Sequence, residues 1–134
     1  MNGLTVLRND LDWGIPLEPQ VISKLSVHFQ EPIQQEDRYS KWDASSPTTK
    51  YEIKSRRNPY NAYPTTIIPI DKTEVKGRLV FVFNFEDKLM YIVYDKEQFD
   101  KYEIRDIPAF RAYGKRTLKP HYMIDIDDLI EIKI

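Results

Sequence analysis

A chain of 134 residues that is 41% hydrophobic and 13% aromatic is large enough to fold around one core, and we expect a single domain over residues 1–134. The absence of cysteine excludes disulfides, thiolate zinc sites and a cysteine nucleophile, and it is typical of the reducing cytoplasm, where we expect this protein. No apolar run is long enough to cross a bilayer. The net charge of −1 argues against a protein that coats nucleic acid by bulk electrostatics.

The first predicted element is a helix over Pro19–Phe29. Apolar side chains recur there at helical spacing, and Pro19 suits the first turn of a helix. We expect this amphipathic helix to pack on a sheet. The preceding Glu18 has an ordinary explanation, because a carboxylate at a helix start interacts favourably with the helix dipole. The polar, acidic segment Gln30–Asp37 is predicted to be a loop.

The segment Lys41–Arg57 predicts a strand, a turn and a second strand. Ser45–Thr49 carries a turn signal and no apolar residue. Lys50–Arg56 alternates as a strand does, so that its odd-numbered and even-numbered side chains point to opposite faces. The face that carries charge consists of Glu52, Lys54 and Arg56.

The second half of the chain predicts a buried hairpin. Arg78–Phe85 and Lys88–Tyr94 are strongly β-forming, and a short Glu86-Asp87 turn joins them into an antiparallel pair. Both strands are apolar on nearly every residue, which indicates burial on both faces by helices or by another chain. On this ground we also expect a homodimer.

The remaining segments predict short or irregular elements. Three prolines in Asn58–Lys76 exclude a long helix there, and Thr65–Ile68 is predicted as a short helix or an extended turn. Asp95, with Gln98 three residues later, predicts the capped start of a short helix. After it we predict a long irregular segment over Ile104–Lys119. The chain then ends in a short strand over His121–Asp125 and a helix turn or strand over Asp127–Ile132.

The register of the central hairpin decides which charges meet. A turn centred after Pro47 pairs Asp43 with Glu52. The same register pairs Lys41 with Lys54. Directly opposed side chains lie about 4.5–5.5 Å apart at Cβ, so two carboxylates and a lysine would share one patch. The like charges repel each other, and a divalent cation between them would turn that repulsion into coordination.

This constellation resembles the PD-(D/E)XK nuclease superfamily, which includes restriction endonucleases, Holliday-junction resolvases and small phage nucleases. The family pattern is an Asp at the start of one strand and Glu-x-Lys on the next, here Asp43 and Glu52-Ile53-Lys54. The residue before the family's Asp is often Pro, and here it is Trp42. The resemblance implies a restriction-endonuclease-like α+β (α/β) fold, with helices flanking a mixed sheet of about four to five strands.

The resemblance also implies a metal-dependent deoxyribonuclease acting on duplex or branched DNA. Asp43, Glu52 and the backbone carbonyl of Ile53 would hold Mg²⁺, for which Mn²⁺ would substitute. Lys54 would orient the attacking water or stabilise the charge at phosphorus. Relatives carry a further acid on the first helix and a further lysine after a proline-rich segment. The candidates for these two positions are Glu18 and Lys72.

The residues around the acidic pair are basic. Between Arg38 and Arg57, six basic residues accompany two acidic ones, which are Asp43 and Glu52. Arg56 shares the charged face and suits a contact with a backbone phosphate. The other candidate nucleic-acid contacts are Arg57, Lys41 and Lys50.

Two other functions stay open on the sequence alone. The chain could be a non-catalytic α+β module that binds nucleic acid or protein, or an assembly protein whose Arg78–Tyr94 hairpin forms an oligomer interface. The site residues also have ordinary explanations. Asp43 could cap a turn, and Glu52 could form a surface ion pair with a neighbouring lysine, worth under about 1 kcal/mol.

Overall fold

The computed structural model describes residues 19–37, 39–110 and 116–133. Residues 19–29 form helix α1, where the sequence predicts it. A four-residue helix α2, Lys96–Phe99, and two 3₁₀ turns, Ile70–Thr73 and Ile126–Asp128, lie among the strands. In these ranges the strands are β1 Gln34–Gln35, β2 Ala44–Ser45, β3 Thr49–Ser55, β4 Thr65–Pro69, β5 Arg78–Asn84, β6 Leu89–Val93, β7 Ile104–Phe110, β8 Arg116–Asp125 and β9 Ile130–Glu131.

The strands form two sheets. The larger one is mixed and has six strands in the order β1-β2-β3-β5-β6-β9, and the smaller one has three in the order β4-β8-β7. Strands β3 and β5 are parallel neighbours, while the other pairs are antiparallel. The predicted α+β class with a mixed sheet is therefore confirmed, although the structure has more strands than the four or five expected.

Helix α1 covers one face of the large sheet. Its buried residues, among them Val21 and Leu25, pack in one cluster with Tyr51 and Ile53 of β3 and with Val82 of β5. Tyr51 and Ile53 are odd-numbered residues of β3, as the predicted alternation requires. The even-numbered charged residues of β3 therefore face the opposite side of the sheet, away from α1.

The small sheet and α2 cover the other face. Phe81 and Phe83 of β5 cluster there with Ile68 of β4, Ile124 of β8 and Phe99 of α2. Strand β5 is thus buried on both faces, which explains its continuous apolar sequence. Each of these fully buried side chains contributes about 1.5–3 kcal/mol by its removal from water. The chain's own layers therefore account for the burial that prompted the expected dimer, which stays a prediction.

Helix α2 begins with the predicted cap. The Asp95 side chain accepts a hydrogen bond from the Glu97 amide at 3.1 Å. Gln98 does not complete the reciprocal capping box, because its side chain donates to the Tyr102 hydroxyl at 2.9 Å instead. The cap holds the buried Phe99 ring against the small sheet, where it meets Tyr122 edge-to-face with 5.4 Å between centroids.

Two predictions for the second half of the chain were wrong. Thr65–Pro69 is strand β4, neither a helix nor a turn, and most of Ile104–Lys119 belongs to β7 and β8, which pair over Ile104–Phe110 and Arg116–Tyr122. Strand β7 is an edge strand, which tolerates Pro108 because an edge amide needs no ladder partner. Apolar side chains such as Ile104 and Leu118 are exposed in these strands. The sequence therefore lacks the alternation of buried apolar and exposed polar residues that predicts a strand.

The end of the chain was predicted more closely. His121–Asp125 is the last half of β8, and Asp127–Ile132 contains the end of a 3₁₀ turn and strand β9. None of the helices in the part of the chain that the structure describes combines the length and apolar character needed to cross a membrane.

Candidate functional site

The β2–β3 hairpin has the register that the sequence predicts. Ala44 lies opposite Tyr51 and Ser45 lies opposite Lys50, so that continuing the ladder by one residue brings Asp43 to Glu52. At this point the backbone ladder changes. The Asp43 amide donates to the Tyr51 carbonyl at 3.1 Å, and the Asp43 side chain, through Oδ2, accepts a hydrogen bond from the Ile53 amide at 2.7 Å. The Asp43 carboxylate thus takes the place of a backbone carbonyl as the hydrogen-bond acceptor for the Ile53 amide of β3.

Glu52 is a buried carboxylate, with 5% of its surface exposed. The pKa of Glu52 is raised to about 7; burial is the largest cause, and Asp43 contributes to the rise through a side-chain hydrogen bond and charge repulsion. Lys54, which is the second largest influence, lowers the same pKa. Asp43 is therefore close enough to Glu52 to influence its pKa, in agreement with the predicted register. Removal from water is nevertheless the larger cause of the shift.

Two lysines approach Glu52 from different parts of the chain. Lys54 Nζ lies 3.8 Å from Glu52 Oε1, and Lys72 Nζ lies 3.1 Å from Oε2. Burial lowers the pKa of Lys54, while the Glu52 charge opposes that shift. Oε2 has no hydrogen bond of acceptable geometry among the described residues, so its contact with Lys72 is purely electrostatic. A buried carboxylate oxygen therefore retains acceptor capacity.

Lys72 reaches the site because the 3₁₀ turn that carries it is tied to the segment before β2. Lys72 Nζ donates to the Lys41 carbonyl at 3.2 Å, and Lys41 Nζ reaches the carbonyls of Asp71 and Glu74 at 3.4 and 3.5 Å. Both ammonium groups also lie against the buried Trp42 ring, 5.2 Å from its centroid for Lys41 and 5.7 Å for Lys72. These cation–π contacts help to place Lys72.

The predicted pair of Lys41 with Lys54 is not formed, although the paired residues of β2 and β3 follow the predicted register. The ladder stops at Ala44 because the Asp43 side chain takes over the next partner on β3, and Lys41 binds the 3₁₀ turn instead. Trp42 appeared in the sequence only as a departure from the family pattern. The signal available in the sequence was a tryptophan directly after Lys41, whereas the contact with Lys72 depends on the fold.

The other predicted residues are spread out. Arg56 is half-buried between the sheets, where Nη2 donates to the Ile67 carbonyl at 3.3 Å and the guanidinium lies 5.7 Å from the Phe83 ring centroid. Lys50 is half-buried and Arg57 is exposed. Glu18 lies outside the described residues. The structure therefore brings together Asp43, Glu52, Ile53, Lys54 and Lys72.

The donors present suit a small divalent cation. No group of three or more His, Cys, Asp or Glu side chains placed to hold a metal occurs in residues 19–37, 39–110 and 116–133. A metal site here would consist of Asp43, Glu52 and main chain. The amide and carbonyl of a strand residue point to the same neighbour, so the Ile53 carbonyl also faces the Asp43 side. Carboxylate and carbonyl oxygens are ligands that Mg²⁺ prefers, with waters completing its coordination.

No protein-family model, curated protein or solved structure matches this chain. The resemblance to PD-(D/E)XK nucleases thus depends on Asp43, on Glu52-Ile53-Lys54 and on the geometry that joins them.

Proposed function

We propose that the protein is a metal-dependent endonuclease that hydrolyses DNA phosphodiester bonds. The observation that supports this most is the buried Glu52 carboxylate next to Asp43, whose Oε2 has an ion pair with Lys72 and no hydrogen bond of acceptable geometry among the described residues. A fold that only needed an ion pair would gain little from burying Glu52 beside a second carboxylate, because the desolvation cost of a buried charge is large. A site that binds a cation and a phosphate needs this arrangement.

Each residue has a distinct role in the proposal. Asp43, Glu52 and the Ile53 carbonyl hold Mg²⁺ or Mn²⁺. When bound, the ion neutralises the acidic pair, polarises the phosphate and supplies an acidified water. Lys54 donates hydrogen bonds to the attacking water or to the phosphate oxygens, and its partial burial strengthens those bonds.

Lys72 supplies a second positive charge beside the phosphate. Its ammonium group contacts the Lys41 carbonyl and the Trp42 ring, and these contacts keep it near Glu52. A preorganised cation stabilises developing negative charge more than a mobile one does.

A non-catalytic role is the second candidate, and one observation favours it. Asp43 already has a structural partner in the Ile53 amide, and Glu52 already has two lysines within 4 Å. A chain with this arrangement could bind nucleic acid or protein without cleaving it. The ion pairs would then serve only to neutralise a buried charge.

A nicking assay separates the two candidates. Supercoiled plasmid and a branched junction are incubated with the protein in Mg²⁺, Mn²⁺ or EDTA. We expect cleavage with either metal, none in EDTA, and none for Asp43→Asn purified in the same way. Lys96→Ala is the control, since Lys96 is exposed on α2 and its ion pair among the described residues is with Asp100, at 2.7 Å. Intact DNA in every wild-type reaction would overturn the proposal.

A further inference from the structure

A cavity of about 230 Å³ lies beside the carboxyl end of β3, between that strand and β4. Among the residues that line it is Phe85, which is buried and stacks on Phe83 with 6.1 Å between ring centroids. The polar residues Arg56, Asn58 and Thr65 also line it. The cavity reaches solvent at Tyr63, which lines it and is 64% exposed.

Arg56 gives the cavity a positive charge with unused hydrogen-bonding capacity. The guanidinium has five N–H donors, and its bond to the Ile67 carbonyl uses one of them at 3.3 Å. Burial lowers the pKa of Arg56, and no carboxylate of the described residues opposes that shift. None of the described residues lining the cavity is acidic. An anion such as a phosphate is the natural partner for this group.

The loop that forms the cavity wall is held in place. The Glu86 amide donates to the Asn58 carbonyl at 3.1 Å, and the Tyr60 amide donates to Asp87 Oδ1 at 2.9 Å. At the other end of the loop, the Ile126 amide donates to the Pro64 carbonyl at 3.2 Å. A wall fixed at both ends binds a ligand without a large ordering cost.

Two tyrosines, Tyr60 and Tyr63, line the cavity, and they differ in how available their ring faces are for stacking. The Lys88 ammonium lies over the Tyr60 ring, 4.2 Å from its centroid, so one face of that ring is occupied. Tyr63 is far more exposed than Tyr60. An exposed aromatic ring beside an arginine and an amide is the combination that proteins use to stack and read an unpaired base.

The cavity has the size of one base. At about 30 Å³ per water molecule, it would hold roughly seven or eight waters, close to the bulk of a pyrimidine ring. It is smaller than the roughly 300 Å³ at which pockets for drug-sized ligands begin. A base pair cannot enter it.

We propose that this cavity takes one unpaired base, stacked on Tyr63, with the adjoining phosphate bound by Arg56. The inference rests on the proposed function and deepens it, because it names an unpaired strand as the substrate of that site. Arg56 directly follows β3 and lies two residues beyond Lys54, or roughly 7 Å along the chain. A phosphate bound by Arg56 would therefore lie close to Lys54.

Binding without cleavage tests the inference. Fluorescence anisotropy is measured in EDTA with fluorescein-labelled oligothymidylate, oligouridylate and a DNA duplex of equal length. We expect the single strands to bind at least about tenfold more tightly than the duplex. Tyr63→Ala should weaken single-strand binding roughly 5- to 150-fold, which is the range for losing one stacked base. Tyr63→Phe, which keeps the ring, and Tyr39→Ala, which removes an 85% exposed tyrosine outside the cavity, should bind as the wild type does.

The outcomes separate this inference from the nuclease proposal. An unchanged dissociation constant for Tyr63→Ala, or a duplex bound as tightly as a single strand, overturns the inference even if the protein cleaves DNA. Tyr63-dependent binding by a protein that cleaves nothing supports the cavity and removes the nuclease. Tighter binding of oligouridylate with the same Tyr63 dependence identifies RNA as the source of the base, and tighter binding of oligothymidylate identifies DNA.

Discussion

Asp43 accepts a hydrogen bond from the backbone amide of Ile53, with 2.7 Å between Oδ2 and the nitrogen. The same carboxylate lies beside Glu52 and raises its pKa. Asp43 therefore has a structural function in the sheet and an electrostatic function at the candidate site. Substitutions that keep or remove the acceptor oxygen can separate the two.

The stability of Asp43 variants without metal tests this division. Asp43→Asn keeps an acceptor for the Ile53 amide and removes the repulsion with Glu52, so its free energy of unfolding in EDTA should be no lower than that of the wild type. Asp43→Ala leaves a buried amide without a partner and should lose about 1–3 kcal/mol. Urea denaturation measures both. An Asn variant as unstable as the Ala variant would show that the negative charge itself holds the sheet together.

Metal binding should stabilise the folded protein. An ion that binds the folded chain and not the open chain raises the free energy of unfolding by about 2.7 kcal/mol at a concentration about 100 times its Kd. Thermal melts with MgCl₂ should therefore show a higher Tm than melts with NaCl at matched ionic strength. The shift should vanish in Asp43→Asn. A full Mg²⁺ shift in that variant would mean that Asp43 is not a ligand.

Glu52 should make the metal-free protein less stable as the pH rises. Its pKa is about 7 in the folded chain against an ordinary 4.5, so the folded state holds the proton more tightly. The resulting stabilisation is complete below about pH 4.5 and is lost as the pH rises through 7, with a size on the order of 3 kcal/mol. Urea denaturation of the wild type at about pH 5 and 8 measures the loss.

Glu52→Gln is the matched control for that measurement, since glutamine has nearly the same shape and does not titrate. The fall in stability between the two pH values should be smaller in the variant by the Glu52 contribution. Equal falls in both proteins would show that Glu52 is already ionised in the folded chain at the lower pH.

Lys54 should contribute to the rate of cleavage and not to the binding of the metal ion. Lys54→Ala removes a charged donor 3.8 Å from Glu52 Oε1, and cleavage should fall by about 100-fold or more. The Mg²⁺-induced rise in Tm should persist, because no metal ligand is lost. Single-turnover cleavage and thermal melts on the same preparation measure the two effects. Loss of the Tm shift together with cleavage would assign Lys54 to metal binding or to folding.

Much of the central hairpin was predictable because its information is local. The turn at Ser45–Thr49 and the alternation of Lys50–Arg56 set the register, and the register alone places Asp43 beside Glu52. Other local signals, namely helical spacing and a capping residue, located helix α1 and the Asp95 cap. Where such signals were missing, as in β7 and the first half of β8, the sequence prediction was wrong.

Tertiary structure determines how deeply the candidate site is buried. The chain that links the parallel strands β3 and β5 passes through β4 and the 3₁₀ turn, and this crossover carries Lys72 to within 3.1 Å of Glu52. The same crossover covers the charged face of β3, which buries Glu52 and encloses the cavity at Arg56. Alternation along one strand determines which face a side chain points to. Only the packing of distant segments determines whether that face meets water, and the pKa of Glu52 follows from that packing.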